Sequence, residues 1–420
     1  MCKVIAGLDI GNGYVKANMR SEVMEKPVGV HFPSSVAYVT NPHNIATEGE
    51  ALVTVINDIY NQMDVSFDSP IVKDTGRRLF GARGVASGMS LEEFDVYSHV
   101  SKANQPLSGV LILGTLAGKA LQDYFSVHKK LPDETVSVTA RIALALPIRE
   151  FKRYRSTYAK NFTSCTHMVS FHNFEKPVRM QISFENVQVF AEGASAQYAI
   201  TDKGIPFMEA MLADVRRMGE ALPGITAQDV LAARNTVGID IGEGTVNFPV
   251  FLDGVFNVDS SGTFDSGYGT VLNKSLDRLQ DEGFAFKSRK DLASFLQTPP
   301  TALNRVRHDK VTRIVNEELM SFANEVSMQF VKILSRVGSF AEVVYVYGGG
   351  ANPLKSVLYP LLIETSKNFG GGDASYPVLY LDSRYSQHLN REGLYIVADR
   401  FARTEEQKKA QAQAQAPAKK

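Results

Sequence analysis

Apolar and polar residues repeat one arrangement at two places in the chain. Residues 4–19, VIAGLDIGNGYVKANM, and residues 236–251, TVGIDIGEGTVNFPVF, each hold an apolar run, a turn of the form D-I-G-x-G and a second extended run. A shift of 231 positions places Asp9 on Asp240. Each pattern predicts a β-hairpin with a glycine turn. Because the pattern occurs twice, we predict two similar half-molecules.

Further apolar patterns predict the elements around the hairpins. The apolar residues of 107–125 and of 309–337 have helical spacing, whereas residues 134–147 alternate as a strand and end at a proline. The run VVYVY at 343–347 is typical of a buried strand, and a helical pattern follows it. Strands and helices therefore alternate along the chain, which predicts an α/β protein.

Composition limits the class of protein. A chain of 420 residues with 44% hydrophobic content is too long for one compact domain. Lysine plus arginine equals aspartate plus glutamate at 45 each, so we expect no direct binding of nucleic acid or membrane surface. Cys2 and Cys165 have no metal-ligand spacing and are expected to be reduced thiols. No signal-like segment or run of roughly 18 apolar residues is found, and we expect a cytoplasmic protein.

The hairpin turns are candidates for binding phosphate groups. Glycines let backbone N–H groups close on an anion. Asp9 and Asp240, just before the turns, suit a magnesium ion held through water. Either hairpin alone is equally well explained as an ordinary glycine turn, but the duplication favours a shared site. The predicted nucleotide-binding residues of the hairpins are Gly11, Asn12, Gly13, Tyr14, Lys16, Gly242, Glu243, Gly244 and Thr245.

A third glycine motif follows the strand at 343–347. Gly348, Gly349 and Gly350 permit close approach to a flat ligand, and the helix that begins at Ala351 favours phosphate at its N-terminus. Hairpin, hairpin and strand-GGG-helix, in this order, resemble the actin, Hsp70 and sugar-kinase superfamily. The chain looks most like the ParM family of bacterial plasmid-segregation actins. The resemblance extends from residue 1 to about residue 402.

The resemblance implies an actin-like α/β fold, with two duplicated domains and four subdomains around a nucleotide cleft. The low-complexity end of the chain is expected to be a disordered tail, because it has almost nothing to bury. The predicted divisions are domain I at 1–200, completed by 376–402 and carrying an outer subdomain at about 30–100; domain II at 201–375, with an outer subdomain at about 276–310; and a tail at 403–420.

The resemblance also assigns catalytic roles. Glu192 ends an apolar strand just before a small-residue helix, where a glutamate is most often a solvated carboxylate. It matches the family's glutamate that positions the attacking water, and holding that water in line supplies much of the catalysis in phosphoryl transfer. Asp9 and Asp240 are predicted to be catalytic through magnesium. Many relatives have a second acid where this chain has Asn247.

Two further segments match the family. The helix after the second hairpin is expected to flank the base and ribose, so Asn273, Lys274 and Arg278 are predicted nucleotide contacts; the alternative is that they face solvent. The N-x-x-G-L-Y segment, which begins at Asn390, is expected to return the chain to the first half.

The implied function is a polymerising ATPase whose filaments segregate plasmid DNA. It would bind ATP or ADP with Mg²⁺ and hydrolyse ATP within the filament, with GTP as an alternative nucleotide. A DNA-binding adaptor protein would link the filament to the plasmid, and the outer subdomain at about 30–100 would carry filament contacts. A small-molecule kinase and a non-polymerising actin-like ATPase are the alternatives. Against a kinase, no clear acid is found to serve as base for a substrate hydroxyl.

Overall fold

The computed structural model describes residues 2–40, 49–95, 100–219, 222–370 and 376–415. Its strands are β1 (Cys2–Ile10), β2 (Tyr14–Ser21), β3 (Val28–Pro33), β4 (Val36–Tyr38), β5 (Asp64–Asp68), β6 (Arg78–Phe80), β7 (Leu91–Glu92), β8 (Val136–Leu146), β9 (His167–Phe171), β10 (Val178–Ala191), β11 (Thr236–Ile241), β12 (Val246–Phe248), β13 (Val250–Leu252), β14 (Val255–Phe256), β15 (Gly262–Phe264), β16 (Val343–Tyr347) and β17 (Val378–Tyr380). Its α-helices are α1 (Gly49–Asn57), α2 (Ile59–Gln62), α3 (Gly81–Ala86), α4 (Pro106–His128), α5 (Ile148–Thr163), α6 (Ala194–Arg217), α7 (Ala227–Ala232), α8 (Tyr268–Asp281), α9 (Arg289–Gln297), α10 (Arg305–Val337), α11 (Ala351–Phe369), α12 (Ser383–Ser386) and α13 (Leu389–Gln415).

The two halves share one strand arrangement. In the first sheet β2 is antiparallel to β1, and β8 and then β10 follow in parallel on the other side. In the second sheet β12 and β13 lie antiparallel to β11, and β16 and β17 follow in parallel on its other side. The predicted duplication is therefore confirmed, and each half is an α/β unit.

Helices cover both sheets. The predicted helices at 107–125 and 309–337 are confirmed as α4 and α10, and their apolar stripes are buried in separate cores. The opposite face of the second sheet packs on α6 and α7. Because of this layering the central strands are shielded from water on both faces. Their sequences are therefore nearly continuous apolar runs. None of the described helices is both long and apolar enough to cross a membrane.

The predicted outer subdomains contain the smaller elements. The segment at about 30–100 contributes β4 to β7, which extend the first sheet beyond β9, together with α1 to α3. Residues 41–48 and 96–99 of this segment lie outside the described residues. The segment at about 276–310 contains the end of α8 and all of α9.

The closing segment differs from the prediction in two ways. Strand β17 pairs with β16 in the second sheet, so only α13 returns to the first half, where it packs on β1; it also contacts α6. The predicted tail is helical up to Gln415, and residues 416–420 lie outside the described residues. Alanine, glutamine, glutamate and lysine favour a helix that has already begun. Arg141 on β8 also donates to the Ala402 carbonyl and pairs with Glu406, which holds the extension against the sheet.

Candidate active site

A cavity of about 460 Å³ opens between the two halves, where β1 and β11 end in their hairpin turns. Ligands of open α/β sheets bind at this edge, beyond the carboxyl ends of the strands. Predicted site residues that line the cavity are Asp9, Gly11, Asn12, Gly13, Tyr14, Lys16, Glu192, Asp240, Gly242, Glu243, Gly244, Thr245, Gly348, Gly349 and Gly350. Three glycine motifs that are far apart in the chain therefore meet at one cavity.

The two hairpin turns are closed by equivalent hydrogen bonds. The Gly11 N–H donates to the Tyr14 carbonyl at 3.0 Å, and the Gly242 N–H donates to the Thr245 carbonyl at 2.9 Å. The strand registers also correspond, because Asp9 pairs with Lys16 as Asp240 pairs with Asn247. The repeat seen in the sequence is thus a repeat in backbone geometry, and it directs two anion-binding turns at one cavity.

Asp9 and Asp240 line the cavity from the two halves. Burial raises the pKa of the Asp9 carboxyl, and Lys16 and Lys102 oppose that shift. Burial also raises the pKa of Asp240, to about 7, although the side-chain amide of Asn390 donates to its carboxylate at 2.7 Å. Carboxylates whose ionised form is disfavoured in this way gain from a nearby cation. This donor pair fits a hydrated magnesium ion, which needs only one or two carboxylates.

Glu192 is held at both carboxylate oxygens. It directly follows β10, and its backbone N–H donates to the Leu146 carbonyl at 2.7 Å. Lys102 Nζ lies 2.7 Å from Oε1, and the Asn247 amide donates to Oε2 at 3.0 Å. The short 3₁₀ helix that begins at Lys102 is fixed as well, because the Glu150 carboxylate accepts from the Lys102 backbone N–H at 3.0 Å. The orientation of Glu192 is therefore set by groups from both halves.

The hydrogen bonds of Asn247 explain why this chain has an asparagine where many relatives have an acid. Its buried side chain donates to Glu192 and accepts from the Thr263 hydroxyl at 2.8 Å. An aspartate here could not donate, and its charge would face the Glu192 carboxylate at hydrogen-bonding distance. Two buried like charges at that distance are strongly unfavourable. Asparagine is thus the residue type that this network requires.

The turn at Gly348–Gly350 forms the third wall of the cavity. Gly348 has a φ of +102°, and a Cβ there would collide with the Ile241 carbonyl oxygen. Gly350 donates its N–H to that carbonyl at 2.8 Å, which ties the turn to β11. A Cβ on Gly349 would meet only Lys16 Nζ, at 3.9 Å, so this position faces the open cavity.

This contrast gives a test of the turn. Gly349→Val should fold normally and lose nucleotide binding, because its side chain would occupy cavity space. Gly348→Val should lose stability instead, since valine strongly disfavours positive φ and has no space there. Thermal unfolding and titration with a fluorescent ATP analogue would be measured for both variants. Normal binding by folded Gly349→Val would place the nucleotide elsewhere.

Family models match both halves of the chain. Residues 7–194 match the model described as actin-like proteins, N-terminal domain, and residues 238–359 match the C-terminal model of the archaeal MreB-like actin homologue. Each match includes one hairpin and its aspartate. The chain belongs to the actin-like superfamily. No curated protein matches the sequence.

Solved actin-like structures align over almost the whole chain. The actin-like protein Alp7A has a TM-score of 0.63 at 15% identity, with 98% of this chain and 100% of that chain covered. Bacillus thuringiensis ParM with ATP has a TM-score of 0.58 at 16% identity, covering 94% and 98%. A non-polymerisable quadruple mutant of pCBH ParM has a TM-score of 0.59 at 15% identity, covering 95% and 99%. The fold is therefore shared although few residues are identical.

In this actin-like chain, α8 and α9 supply a further wall of the cavity. The sequence analysis expected the helix α8 to flank the nucleotide but selected other residues of it, and it missed α9. The lining residues of this wall are Tyr268, Leu272, Arg289, Lys290, Ala293, Ser294 and Gln297. Arg289 pairs with Glu243 of the second hairpin at 3.2 Å, and Lys290 Nζ lies 5.3 Å from the centre of the Tyr14 ring in the first. The contacts of α9 thus reach both hairpins. An amphipathic nine-residue helix in a polar segment gave no signal of this role.

Four predicted nucleotide contacts do not line the cavity. Arg278 lies on α8 but pairs with Glu317 and Glu318 of α10, and Lys274 is 3.9 Å from Glu325 of the same helix. Asn273 and Ala351 are also absent from the lining. The polar face of α8 on which Lys274 and Arg278 lie is turned toward α10, so these positions do not support the predicted nucleotide contacts.

Proposed function

We propose that the protein is a nucleotide-dependent polymerising ATPase whose filaments segregate plasmid DNA. The observation that carries this proposal is the convergence of two aspartates and one oriented glutamate on a cavity between two glycine hairpins. Such a site would bind a triphosphate and hold a water beside its terminal phosphate. It combines positioning with charge stabilisation, which supply most of the catalysis in phosphoryl transfer.

The binding step uses the backbone of the three glycine turns. Backbone N–H groups at the hairpin tips would donate hydrogen bonds to the phosphate oxygens. Lys16 would add a positive charge within the cavity. The turn at Gly349 and the α8–α9 wall leave room for the nucleoside. Asp9 and Asp240 would hold Mg²⁺ through water, and the ion would supply positive charge to the phosphate oxygens. ATP is the proposed nucleotide, with GTP as the alternative.

The hydrolytic step depends on Glu192. Its oxygens already accept from Lys102 and Asn247, and the remaining lone pairs can accept a hydrogen bond from water. That water would attack the γ-phosphorus while the bond to the bridging oxygen breaks, and its proton would leave on the released phosphate. Lys102 and Asn247 act as positioning residues, since they contact Glu192 and fix its direction.

Assembly would be coupled to the bound nucleotide. A ligand shifts an equilibrium only by binding the two states differently, so the ATP-bound subunit would favour the filament and the ADP-bound subunit would leave it. The matched pCBH ParM is described as a non-polymerisable mutant, which implies that its parent polymerises. Because positive and negative charges balance, a DNA-binding adaptor is proposed as the link to the plasmid.

The test is assembly of the purified wild-type protein. Light scattering and negative-stain microscopy would be recorded with ATP, GTP or ADP in the presence of magnesium, and without nucleotide. Scattering that rises with a triphosphate and decays as phosphate is released supports the proposal. A small-molecule kinase would show no scattering, and its ATP consumption would require an added acceptor. Either of these two results would overturn the proposed polymerising ATPase.

A further inference from the structure

Four positively charged or imidazole side chains lie together beside the cavity. Lys16 of β2 and His31 of β3 are paired in the antiparallel register, so both side chains leave the same face of the first sheet. Arg391 of α13 lies over that face, because a Cβ on Gly29, two residues before His31, would be 3.3 Å from its Nη2 atom. His388 directly precedes α13. We call Lys16, His31, His388 and Arg391 the basic cluster.

The pKa values of the two histidines show that the basic cluster is crowded with positive charge. The pKa of His31 is lowered to about 4, first by burial and then by the charges of Lys16, His388 and Arg391. The pKa of His388 is also lowered, by burial first and then by Arg391 and Lys16. Protonation of either ring is therefore opposed by charges already present, which a bound anion would neutralise.

The acids near the basic cluster have other interactions. Among the described residues, neither Lys16 nor Arg391 forms an ion pair with an acidic side chain. The acids whose charges reach Arg391 are Glu392 and Asp9. Glu392 pairs with Lys203 of α6 at 2.8 Å, and Asp9 is assigned to magnesium in the proposed site. The basic cluster thus has positive charge that no neighbouring side chain balances.

Buried donors at the same place have no partner in the part of the chain that the structure describes. Ser386 lines the cavity and is 3% exposed, and its hydroxyl makes no hydrogen bond. The Nδ1 atom of His388 and the Nε atom of Arg391 are also buried without a partner. Unsatisfied buried polar atoms are rare and costly, and each one requires an explanation. The N-terminal end of α13, which begins at Leu389, adds a partial positive charge here.

Ser386 borders the same part of the cavity as Lys16. Its carbonyl accepts from the Gly348 N–H at 3.3 Å, and a Cβ on the next glycine, Gly349, would lie 3.9 Å from Lys16 Nζ. His388 and Arg391 are not among the residues that line the cavity, so the basic cluster extends beyond the space between the two hairpin turns. None of its residues except Lys16 is needed to hold the nucleotide phosphates in the proposed site.

We propose that the basic cluster and the Ser386 hydroxyl form a second anion site, which binds free inorganic phosphate alongside the nucleotide. A tetrahedral oxyanion has acceptor oxygens for the hydroxyl, the guanidinium group and both imidazoles, and charged donors make such hydrogen bonds strong. A phosphate group of the nucleotide itself is the other source of the same chemistry. The inference goes beyond the proposed function, because it requires neither hydrolysis nor assembly.

The test measures thermal unfolding of the full chain at rising concentrations of sulfate and, separately, of inorganic phosphate. Sulfate is the cleaner probe, because its charge is constant between pH 6 and pH 8. Each titration is made with saturating ADP and magnesium and again without nucleotide, and sodium chloride of equal ionic strength is the reference. Sulfate should raise the Tm saturably in both conditions, whereas general salting effects do not saturate.

Variants identify the residues that bind the anion. Arg391→Met keeps most of the side-chain length and should raise the half-saturating sulfate concentration more than tenfold. His388→Gln should raise it as well, and it serves as the second variant where Arg391→Met reduces stability without anion. Arg384→Met is the matched control, because Arg384 is exposed in the preceding helix α12 and pairs with Asp382 at 2.8 Å. The control should respond to sulfate as the wild type does.

A spectroscopic measurement separates direct binding from general stabilisation. The pKa of the His31 ring should rise when sulfate is bound, because the anion favours the protonated imidazole. NMR titration of the chain with labelled histidine would follow this ring, and His31→Gln would assign its signal. An unchanged His31 pKa at saturating sulfate would contradict a site at the basic cluster.

Three other outcomes would overturn the second anion site. They are a Tm that rises with sulfate only as it does with chloride, equal sulfate binding by Arg391→Met, and sulfate binding that saturating ADP abolishes. In the last case the anion would occupy the place of a nucleotide phosphate. The proposed function would stand in all three cases. Absence of ADP binding would contradict the proposed function instead, and the nucleotide-free titration would still decide the anion site.

Discussion

Glu192→Ala should bind ATP but hydrolyse it at least about 100-fold more slowly, on the scale seen when a group that acts on the attacking water is lost. The hairpins and the Gly349 turn are untouched, so nucleotide affinity should change little. Filaments of this variant should assemble with ATP and persist, because ADP-bound subunits are not produced. Light scattering should hold a plateau where the wild-type signal decays, and phosphate release would be measured in parallel.

Two controls separate this role from a structural one. Removing Glu192 leaves Lys102 without its carboxylate partner, so Glu192→Gln is included because glutamine retains an acceptor for the ammonium group. Its hydrolysis should fall between those of the wild type and the alanine variant. Glu185 lies on β10, the strand that Glu192 follows, and it pairs with Arg141 rather than with Lys102. Glu185→Ala should therefore leave turnover unchanged. Equal decay of scattering in the wild type and Glu192→Ala would contradict the proposed hydrolytic role.

Asp240→Asn should abolish magnesium-dependent hydrolysis and raise the stability of the nucleotide-free protein. The folded-state pKa of Asp240 is raised from 3.8 to about 7, chiefly by burial. Its carboxyl therefore keeps its proton in the folded state over a pH range where the unfolded chain has lost it. The wild type should lose stability as pH rises from about 4 to about 7 relative to the variant. At pH 8 the gain for Asp240→Asn is roughly 4 kcal/mol.

Urea unfolding at pH 4 and at pH 8 would measure the stability difference, and phosphate release would measure activity. Asparagine keeps an oxygen that can accept from Asn390 but attracts a cation weakly. Asp259→Asn is the matched control, because its carboxylate is exposed and pairs with Lys152 at the surface. Asp9→Asn should show the same loss of hydrolysis. Wild-type turnover in both cavity variants would end the model of two hairpins around one nucleotide.

The positions of the hairpins could be predicted from the sequence because their determinants are local. A D-I-G-x-G turn between two extended runs predicts a hairpin from neighbouring residues alone. The repetition of this motif indicates that the two halves have similar structures. The apolar spacing of α4 and α10 is local in the same sense, and both helices are present. The role of Glu192 is predicted from the family resemblance and from its place in the order of motifs, because the local sequence alone favours a solvated carboxylate.

The remaining features depend on tertiary structure. Lys102 is 90 positions from Glu192 in the chain, and no local pattern pairs this lysine with a carboxylate that follows a distant strand. The α9 wall reaches the hairpins only because the outer segment folds over the cavity. Arg278 shows the reverse case, since helical spacing gave it a polar face but could not tell whether nucleotide or α10 lies opposite.

The duplicated fold, the glycine turns and the acids beside them are predictable from the sequence, because short-range spacing encodes each of these. The sequence analysis predicted too short a helix α13, because a low-complexity stretch has little to bury on its own. In the structure this stretch continues a helix that is already packed. Which side chains from distant segments surround Glu192 is known from the packed structure alone. Those side chains come from both halves, so their contacts form only when the sheets and helices of the two halves are packed around one cavity.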